Sequence, residues 1–398
     1  MARVLFINAG SEGHINPTIG VVQELVARGE EVVYFCLGAY RERIEKAGAS
    51  VRTIDDQKFI EAFMSGGRDY VLERANGLLL TADVVIPTVL EQIRGEHFDY
   101  MIHDSMFGCG RLLAGILKLP AISSCTSFAH IKETFDTILE PPPLKTPEEI
   151  VERFYSLAAA VSEKYGVDVR SPYEAFYNPA PLTIVYTTRE FQTDPEAFDQ
   201  TYKFVGPSIS SRPAQQNFDL TAIKGKNPIY ISLGTVFNDA VDFYKLCFEA
   251  FGNTEHTIVM SVGNNTPISD LGEIPGNFIV KNYVPQTELL QHTKLFITHG
   301  GMNSTSEGLY YGVPLVVIPQ NADQPMVAGQ VAKIGAGLAL QMQGLTANQL
   351  REAADQVLSL PSFRKAVAYI GESFRKSGGY RQAVDEIFEF KSRSHVRI

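Results

Sequence analysis

The chain has 398 residues, 45% of them hydrophobic, and its 45 acidic and 35 basic side chains give a formal charge of −10. This length predicts two or three domains with a large core, and the apolar content excludes a disordered chain. The excess of acidic residues argues against nucleic acid or an anionic membrane as a partner. Any bound phosphate must therefore be held by the local structure of its site rather than by the net charge of the protein.

The composition also predicts a compartment. The four cysteines show no Cys-x-x-Cys spacing, so we expect neither a disulfide framework nor a zinc site. The first apolar run, 4–7, is too short for a signal peptide, and no stretch approaches the ~20 apolar residues of a membrane span. We therefore expect a cytoplasmic protein.

The first half of the chain alternates predicted strands and helices. Pro17 and Gly29 suit the start and the end of a helix at 17–28. Short apolar runs between amphipathic helices are typical of parallel strands that are covered on both faces. The predicted strands are 3–8, 31–36, 51–54, 100–103, 121–123, 183–187 and 203–205, and the further helices are 107–117 and 148–165.

A second series of the same kind follows a stretch rich in Pro and Ser. We predict that this stretch is a linker, 207–227, between domains at 1–206 and 228–398. Two doubly wound α/β domains of this kind imply a cleft between them. The predicted strands of the second domain are 229–232, 257–262, 278–280, 295–298 and 315–318, and its predicted helices are 239–251 and 303–311.

The most informative segment follows the strand at 295–298. Two glycines allow a tight turn there, and a helix is predicted to start near Asn303, with Asn303 and Ser304 as capping residues. The N–H groups of its first turn and the helix dipole would form an anion site. Glu307 lies one turn further on the same face, where a carboxylate can accept hydrogen bonds from ribose. An ordinary helix cap is the alternative.

Three other turns lie at strand ends of the same half. Gly234 with Thr235, Gly263, and Asp323 with Gln324 follow separate predicted strands, so they are expected to line one crevice. None of these side chains is positively charged, so a polyhydroxylated ligand such as a sugar suits them. The dinucleotide fingerprint Gly-x-Gly-x-x-Gly and the P-loop are both absent.

The first half carries a candidate base and its partner. His14 is predicted in the turn after the first strand, and Asp104 directly follows the strand at 100–103. Strand ends of one parallel sheet converge, so these residues could pair as base and orienter and activate a hydroxyl. The alternative is a turn residue and a helix cap. The histidines and aspartates show no metal-ligand spacing, so no metal is expected.

These segments together resemble the UDP-dependent glycosyltransferases of the GT-B fold, most closely the bacterial macrolide glycosyltransferase-like branch. The stretch Gly13-His14-Ile15-Asn16-Pro17 is similar to the family's first-loop motif, and 283–324 is similar to its nucleotide-sugar signature. The resemblance implies two Rossmann-like domains, with a last helix, about 379–391, packed back on the first. It also implies that Tyr283 and Met302 replace tryptophans of other members; the chain has no tryptophan.

The resemblance assigns a role to each matched residue. It implies that His14 is the catalytic base and that Asp104 orients it. The donor-binding residues are then Gly234, Thr235, Gly263 and Gly301 in the turns, Tyr283, Val284 and Gln286 at the nucleoside, His299, Asn303 and Ser304 at the diphosphate, Glu307 at the ribose, and Asp323 and Gln324 at the hexose.

The expected function is therefore an inverting transfer of a hexose, glucose above all, from a UDP-sugar to a hydroxyl of a small lipophilic acceptor such as a flavonoid, phenol or macrolide. No cofactor is expected beyond the UDP-sugar co-substrate. The acceptor is expected near Phe107 and the apolar stretches 59–70, 78–86 and 128–139. The alternatives are another GT-B enzyme, such as a nucleotide-sugar epimerase or a lipid-linked sugar transferase, and a non-catalytic nucleotide-sugar-binding protein.

Overall fold

A computed structural model describes residues 2–139, 145–210, 218–235, 238–321 and 323–393. The chain forms two compact units. Unit 1 comprises Met1–Thr187, Asp194–Ser210 and Gly378–Ile398, and unit 2 comprises Thr188–Thr193 and Ser211–Ser377. Residues 188–193 belong to unit 2, and the C-terminal segment belongs to unit 1, as the resemblance implied for the last helix. Part of the predicted linker, 211–217, lies outside the described residues.

Unit 1 contains a seven-stranded sheet in the order β3-β2-β1-β4-β5-β6-β7, with every neighbouring pair parallel. The strand order changes direction at β1, which pairs with both β2 and β4, so the carboxyl ends of β1 and β4 are adjacent. The strands are β1 Arg3–Ile7, β2 Glu31–Leu37, β3 Ser50–Ile54, β4 Tyr100–Asp104, β5 Ala121–Cys125, β6 Leu182–Val185 and β7 Tyr202–Phe204.

Helices cover both faces of this sheet. Alternate residues of β1 belong to different cores, because successive side chains of a strand point to opposite faces: Val4 and Phe6 share a core with α1, and Leu5 and Ile7 share another with α5 and α6. The helices are α1 Glu12–Ala27, α2 Arg41–Lys46, α3 Asp56–Met64, α4 Val71–Leu80, α5 Ala82–Gln92, α6 Gly110–Leu117, α7 Lys132–Leu139, α8 Glu148–Tyr165 and α9 Pro172–Tyr177.

Unit 2 contains a six-stranded parallel sheet in the order β10-β9-β8-β11-β12-β13. Its strands are β8 Ile229–Ser232, β9 Ile258–Ser261, β10 Phe278–Lys281, β11 Leu295–Thr298, β12 Leu315–Val317 and β13 Gly337–Ala339. Its helices are α10 Val241–Phe251, α11 Gln286–Leu290, α12 Met302–Tyr310, α13 Gln324–Lys333, α14 Ala347–Ser359 and α15 Pro361–Lys376. The two parallel sheets with their helices confirm the predicted doubly wound α/β class.

The last helix, α16 (Tyr380–Arg393), packs against α1 and belongs to unit 1. Its Lys391 Nζ lies 2.7 Å from Glu30 Oε1, and the Tyr100 hydroxyl donates a hydrogen bond of 3.1 Å to Glu30 Oε2. Both charged side chains are buried, and a buried charge is tolerated when it is paired in this way. No helix in the described part of the chain has the length and apolar character needed to cross a bilayer.

Candidate active site

His14 and Asp104 meet at the carboxyl ends of β1 and β4. His14 Nδ1 lies 2.8 Å from Asp104 Oδ2, and the His14 side chain is 18% exposed whereas the carboxylate is fully buried. The backbone N–H groups of Met106 and Phe107 donate hydrogen bonds of 2.9 and 2.8 Å to Asp104 Oδ1. One carboxylate oxygen is therefore held by the backbone, and the other accepts the Nδ1–H of the imidazole.

The structure corrects the predicted position of His14. The helix α1 begins at Glu12 rather than at Pro17, so His14 lies in the first helical turn and not in the loop before it. Pro17 misled the prediction, because proline usually begins a helix but is accommodated inside this one. The Asn8 amide donates a hydrogen bond of 3.1 Å to the His14 carbonyl oxygen. A Cβ on Gly10 would lie 2.5 Å from His14 Cβ, so this approach requires glycine.

Two further residues near His14 were not predicted. The Thr126 hydroxyl, just after β5, lies 3.1 Å from His14 Nδ1. Arg43 of α2 forms an ion pair of 3.0 Å with Glu12 and a hydrogen bond with Asn16, so it holds the helical turn that carries His14. Neither contact has a local sequence signal, because both come from elements distant along the chain.

A cluster of aromatic rings contacts the base through Phe107. The Phe107 ring packs edge-on against the His14 imidazole at a centroid distance of 4.9 Å, and Phe63 and Phe59 lie 5.6 and 6.4 Å from Phe107. Of the segments expected near the acceptor, Phe107 and the stretch 59–70 thus contribute rings to this cluster. In the stretch 128–139, Phe135 is buried in an aromatic cluster with α9, so part of that stretch is ordinary core.

In unit 2, the turn after β11 leaves the start of a helix without a side-chain cap. Gly300 has a φ of +84°, and α12 begins at Met302, one residue earlier than predicted, with Gly301 at the N-cap position. Asn303 and Ser304 lie inside the first turn, so the prediction that they cap the helix was wrong. Because the N-cap residue is a glycine and has no side chain to cap the helix, the positive end of the helix dipole can receive an anion.

His299 occupies the space that two glycines leave open. A Cβ on Gly234 would lie 2.6 Å from His299 Cε1, and one on Gly301 would lie 2.5 Å from His299 Nε2. The imidazole therefore links the turn after β8 to the N-terminus of α12. Burial lowers the pKa of His299 to about 4, so the ring is neutral at pH 7 and carries one N–H donor.

Glu307 and Gln286 form a hydrogen-bonded pair. Gln286 Nε2 donates to Glu307 Oε2 at 2.7 Å and lies 3.3 Å from Ser304 Oγ. The Tyr230 hydroxyl donates a hydrogen bond of 3.0 Å to Gln286 Oε1. Three of the predicted site residues are thus in contact, and Tyr230 is a fourth member that the sequence did not indicate. Tyr283 and Val284, which follow β10, are half-buried.

Asn238 joins two of the predicted turns. Its amide donates a hydrogen bond of 2.8 Å to the Gly234 carbonyl oxygen, and its side chain fills the space where a Cβ on Gly263 would lie. Gly263 therefore provides room for this amide. Thr235 is exposed, and the next two residues lie outside the described part of the chain.

The last two predicted residues differ in environment. Asp323 is half-buried at the N-cap position of α13, whereas Gln324 is buried. Gln324 Oε1 accepts hydrogen bonds of 2.8 and 3.2 Å from the N–H groups of Gln320 and Asn321. This oxygen holds the preceding loop, so only the Nε2 end of the side chain could serve a ligand.

Comparison with known proteins identifies the family. Residues 245–376 match the model of the erythromycin biosynthesis protein CIII-like C-terminal domain. The chain is 37% identical to the uncharacterized UDP-glucosyltransferase YojK of Bacillus subtilis (strain 168), over 98% of this chain and 97% of that one. It is 33% identical to NDP-glycosyltransferase YjiC of Bacillus licheniformis, over 99% of each chain. The crystal structure of CalG4, the calicheamicin glycosyltransferase, matches with a TM-score of 0.84 and 27% identity, over 99% of each chain.

The fold and these similarities define an enzyme of the glycosyltransferase class with the GT-B fold. The chain belongs to the UDP-glycosyltransferase family. The resemblance found in the sequence is thereby confirmed, and the expectation of an enzyme is confirmed with it.

Proposed function

We propose that the protein is an inverting glycosyltransferase that moves a hexose, expected to be glucose, from a UDP-sugar to a hydroxyl of a small lipophilic acceptor. The observation that carries the proposal is the hydrogen bond of 2.8 Å between His14 and Asp104. The names of the relatives support it, since YojK is called a UDP-glucosyltransferase and CalG4 is the calicheamicin glycosyltransferase.

The chemistry in unit 1 is base catalysis. Because His14 Nδ1–H donates to Asp104, the lone pair of Nε2 can accept the acceptor's hydroxyl proton. The acceptor oxygen then forms a bond to the anomeric carbon, on the face opposite UDP, while the bond from that carbon to the diphosphate oxygen breaks. UDP leaves with the electron pair, and Asp104 stabilises the imidazolium that forms.

The donor belongs to unit 2 in this proposal. The diphosphate binds at the N-terminus of α12, where Gly301, Asn303 and Ser304 present the first turn and His299 adds a neutral donor. This positive helix end can offset the charge of the leaving group, so we propose that no metal is required. The remaining roles are Glu307 and Gln286 at the ribose, Tyr283 and Val284 at the base, Asp323 and Gln324 at the hexose, and Gly234, Thr235 and Gly263 in the lining turns.

The acceptor is proposed to bind beside the aromatic rings of unit 1. Phe63 and Phe107 are half-buried next to His14, so a flat or macrocyclic apolar molecule can stack there with its hydroxyl near the base. Flavonoids, phenols and macrolides have this character.

The direct test is incubation with UDP-glucose, UDP-galactose and dTDP-glucose, each with a mixed panel of phenols, flavonoids and macrolides. We expect release of UDP and products heavier by one hexose in mass spectrometry, with β linkages from an α-linked donor. UDP binding without transfer to any acceptor would favour a non-catalytic binding protein, and a changed free sugar nucleotide would favour an epimerase.

The Gly234→Ala variant tests the His299 turn. The added Cβ would displace the imidazole, so we expect UDP affinity in isothermal titration to fall roughly 10- to 100-fold, the loss of a charge-assisted hydrogen bond. The matched control is Gly344→Ala, because Gly344 has a similar φ, +74° against +79°, and no atom within 4 Å of an added Cβ. Equal losses of UDP affinity in both variants would mean that backbone strain alone explains the effect, and would refute the role of His299.

The Glu307→Ala variant tests the ribose assignment. We expect its UDP affinity to fall roughly 10- to 100-fold, because hydrogen bonds from ribose hydroxyls to a carboxylate are lost. Glu352→Ala removes an exposed carboxylate of the same unit and should leave titration with UDP unchanged. Unchanged UDP affinity in Glu307→Ala would rule out the assignment.

We also propose a cytoplasmic location. All four cysteines are buried and free, as is usual in a reducing compartment. Burial raises the pKa of the Cys36, Cys109 and Cys125 thiols to about 12, so these groups are protonated and inert at pH 7.

A further inference from the structure

Tyr230 places a hydroxyl group inside unit 2, beneath the proposed ribose site. The residue lies on β8 and is 2% exposed, and its ring stacks on Phe296 of β11 at a centroid distance of 4.6 Å. Burial raises the pKa of Tyr230 well above its ordinary value, so the hydroxyl keeps its proton and acts as a donor. Burying a hydroxyl has a free-energy cost, which the hydrogen bond to Gln286 offsets.

This hydrogen bond fixes the direction of an amide. Gln286 Oε1 accepts from Tyr230 at 3.0 Å, so the amide must present Nε2 to Glu307, which it contacts at 2.7 Å. In the flipped orientation, the amide oxygen would face the carboxylate, which is repulsive, and the tyrosine hydroxyl would lose the oxygen that accepts its proton, although it could accept a hydrogen bond from the amide N–H. The three side chains form a chain of donors and acceptors that starts at a rigid strand and ends at the carboxylate.

We propose that Tyr230 is a positioning residue for recognition of the donor ribose: through Gln286, it holds the Glu307 carboxylate in the orientation that receives the ribose hydroxyls. The inference rests on the proposed function, which assigns Glu307 to the ribose. It extends that function to a residue that touches neither the nucleotide nor the sugar. Tyr230 is therefore expected to control the preference for ribose over a deoxygenated sugar, and not the chemical step.

The test compares the binding of UDP with that of 2′,3′-dideoxy-UDP, which lacks both ribose hydroxyls, in the Tyr230→Phe variant. The phenyl ring keeps the stack on Phe296 and removes only the hydroxyl. We expect the UDP dissociation constant to rise about 3- to 10-fold, as for one lost hydrogen bond, while that of dideoxy-UDP changes much less. At saturating UDP-sugar, kcat should remain that of the wild-type enzyme.

Tyr244→Phe is the matched control. Tyr244 is another buried tyrosine of unit 2, and its hydroxyl contacts the Val262 carbonyl oxygen at 3.4 Å rather than Gln286. A wild-type ratio of UDP to dideoxy-UDP affinity in Tyr230→Phe, or an equal loss of that ratio in Tyr244→Phe, would overturn the proposal.

The Glu307→Gln variant, measured in parallel, distinguishes a failure of this inference from a failure of the proposed function. If Glu307→Gln loses the ratio and Tyr230→Phe keeps it, the positioning role fails and the ribose assignment stands. If Glu307→Gln keeps the wild-type ratio, the ribose assignment itself fails, and the positioning role fails with it.

Discussion

The His14→Ala variant is expected to lower kcat by on the order of 10²–10⁴, the usual contribution of a positioned general base. Without the imidazole, the acceptor hydroxyl must attack while still protonated or lose its proton to water. The donor residues belong to unit 2, so the affinity for UDP should remain close to that of the wild-type enzyme. Single-turnover rates with saturating UDP-glucose, together with titration of UDP, measure both quantities.

His97→Ala is the control for this experiment, because the His97 side chain is 86% exposed and precedes the amino end of β4, whereas Asp104 lies at the carboxyl end. It should show wild-type turnover. An unchanged rate in His14→Ala would remove His14 from the mechanism. A parallel loss of UDP affinity would instead mean that the substitution disturbs more than the base.

The Asp104→Asn variant is expected to lose activity on a similar scale, on the order of 10²–10⁴, for a different reason. The backbone N–H groups of Met106 and Phe107 bind one oxygen of Asp104, so the asparagine must keep its carbonyl oxygen there. Its NH₂ group then faces His14 Nδ1 and donates to it. This forces the proton of the imidazole onto Nε2, the atom that must accept the acceptor's proton.

Thr126→Val is the matched control, because it removes a hydroxyl 3.1 Å from the same nitrogen without changing the charge. We expect a loss below about 10-fold, as for a neutral hydrogen bond. Turnover and thermal unfolding should be measured for both variants. If Asp104→Asn retains wild-type turnover and stability, Asp104 has no part in orienting the base.

Much of the fold could be predicted from the sequence. Most strands of both units are short and buried on both faces, so each of these appears in the sequence as a continuous apolar run. The prediction did not include the strand β13 or the helices α2, α7, α9, α11, α13, α14 and α15, and it also missed α3, α4 and α5. Their apolar residues pack against other helices and the sheet rather than in one simple stripe, so the helical period is hard to see in the sequence.

The candidate site was predicted unevenly. His14, Asp104 and the residues from His299 to Glu307 lie in recognisable segments at strand ends. Thr126, Arg43 and Asn238 carry no such signal, because each acts through a contact with a residue far away in sequence. Gln324 was assigned to the sugar from its place in a motif, and only the structure shows that its side-chain oxygen is bound by the backbone of its own loop.

The sequence by itself determined the class of the fold, the family and the segments that carry the chemistry, because hydrophobic runs, glycine turns and the His and Asp positions are local properties. Only the tertiary structure decided what each polar group does. The pairing of β1 with β4 brings His14 to Asp104. The pairing of β8 with β11 places the Tyr230 hydroxyl within hydrogen-bond distance of Gln286, which in turn contacts Glu307. Hydrogen bonds act over about 3 Å, so roles of this kind depend on contacts between strands and helices that are far apart in the chain.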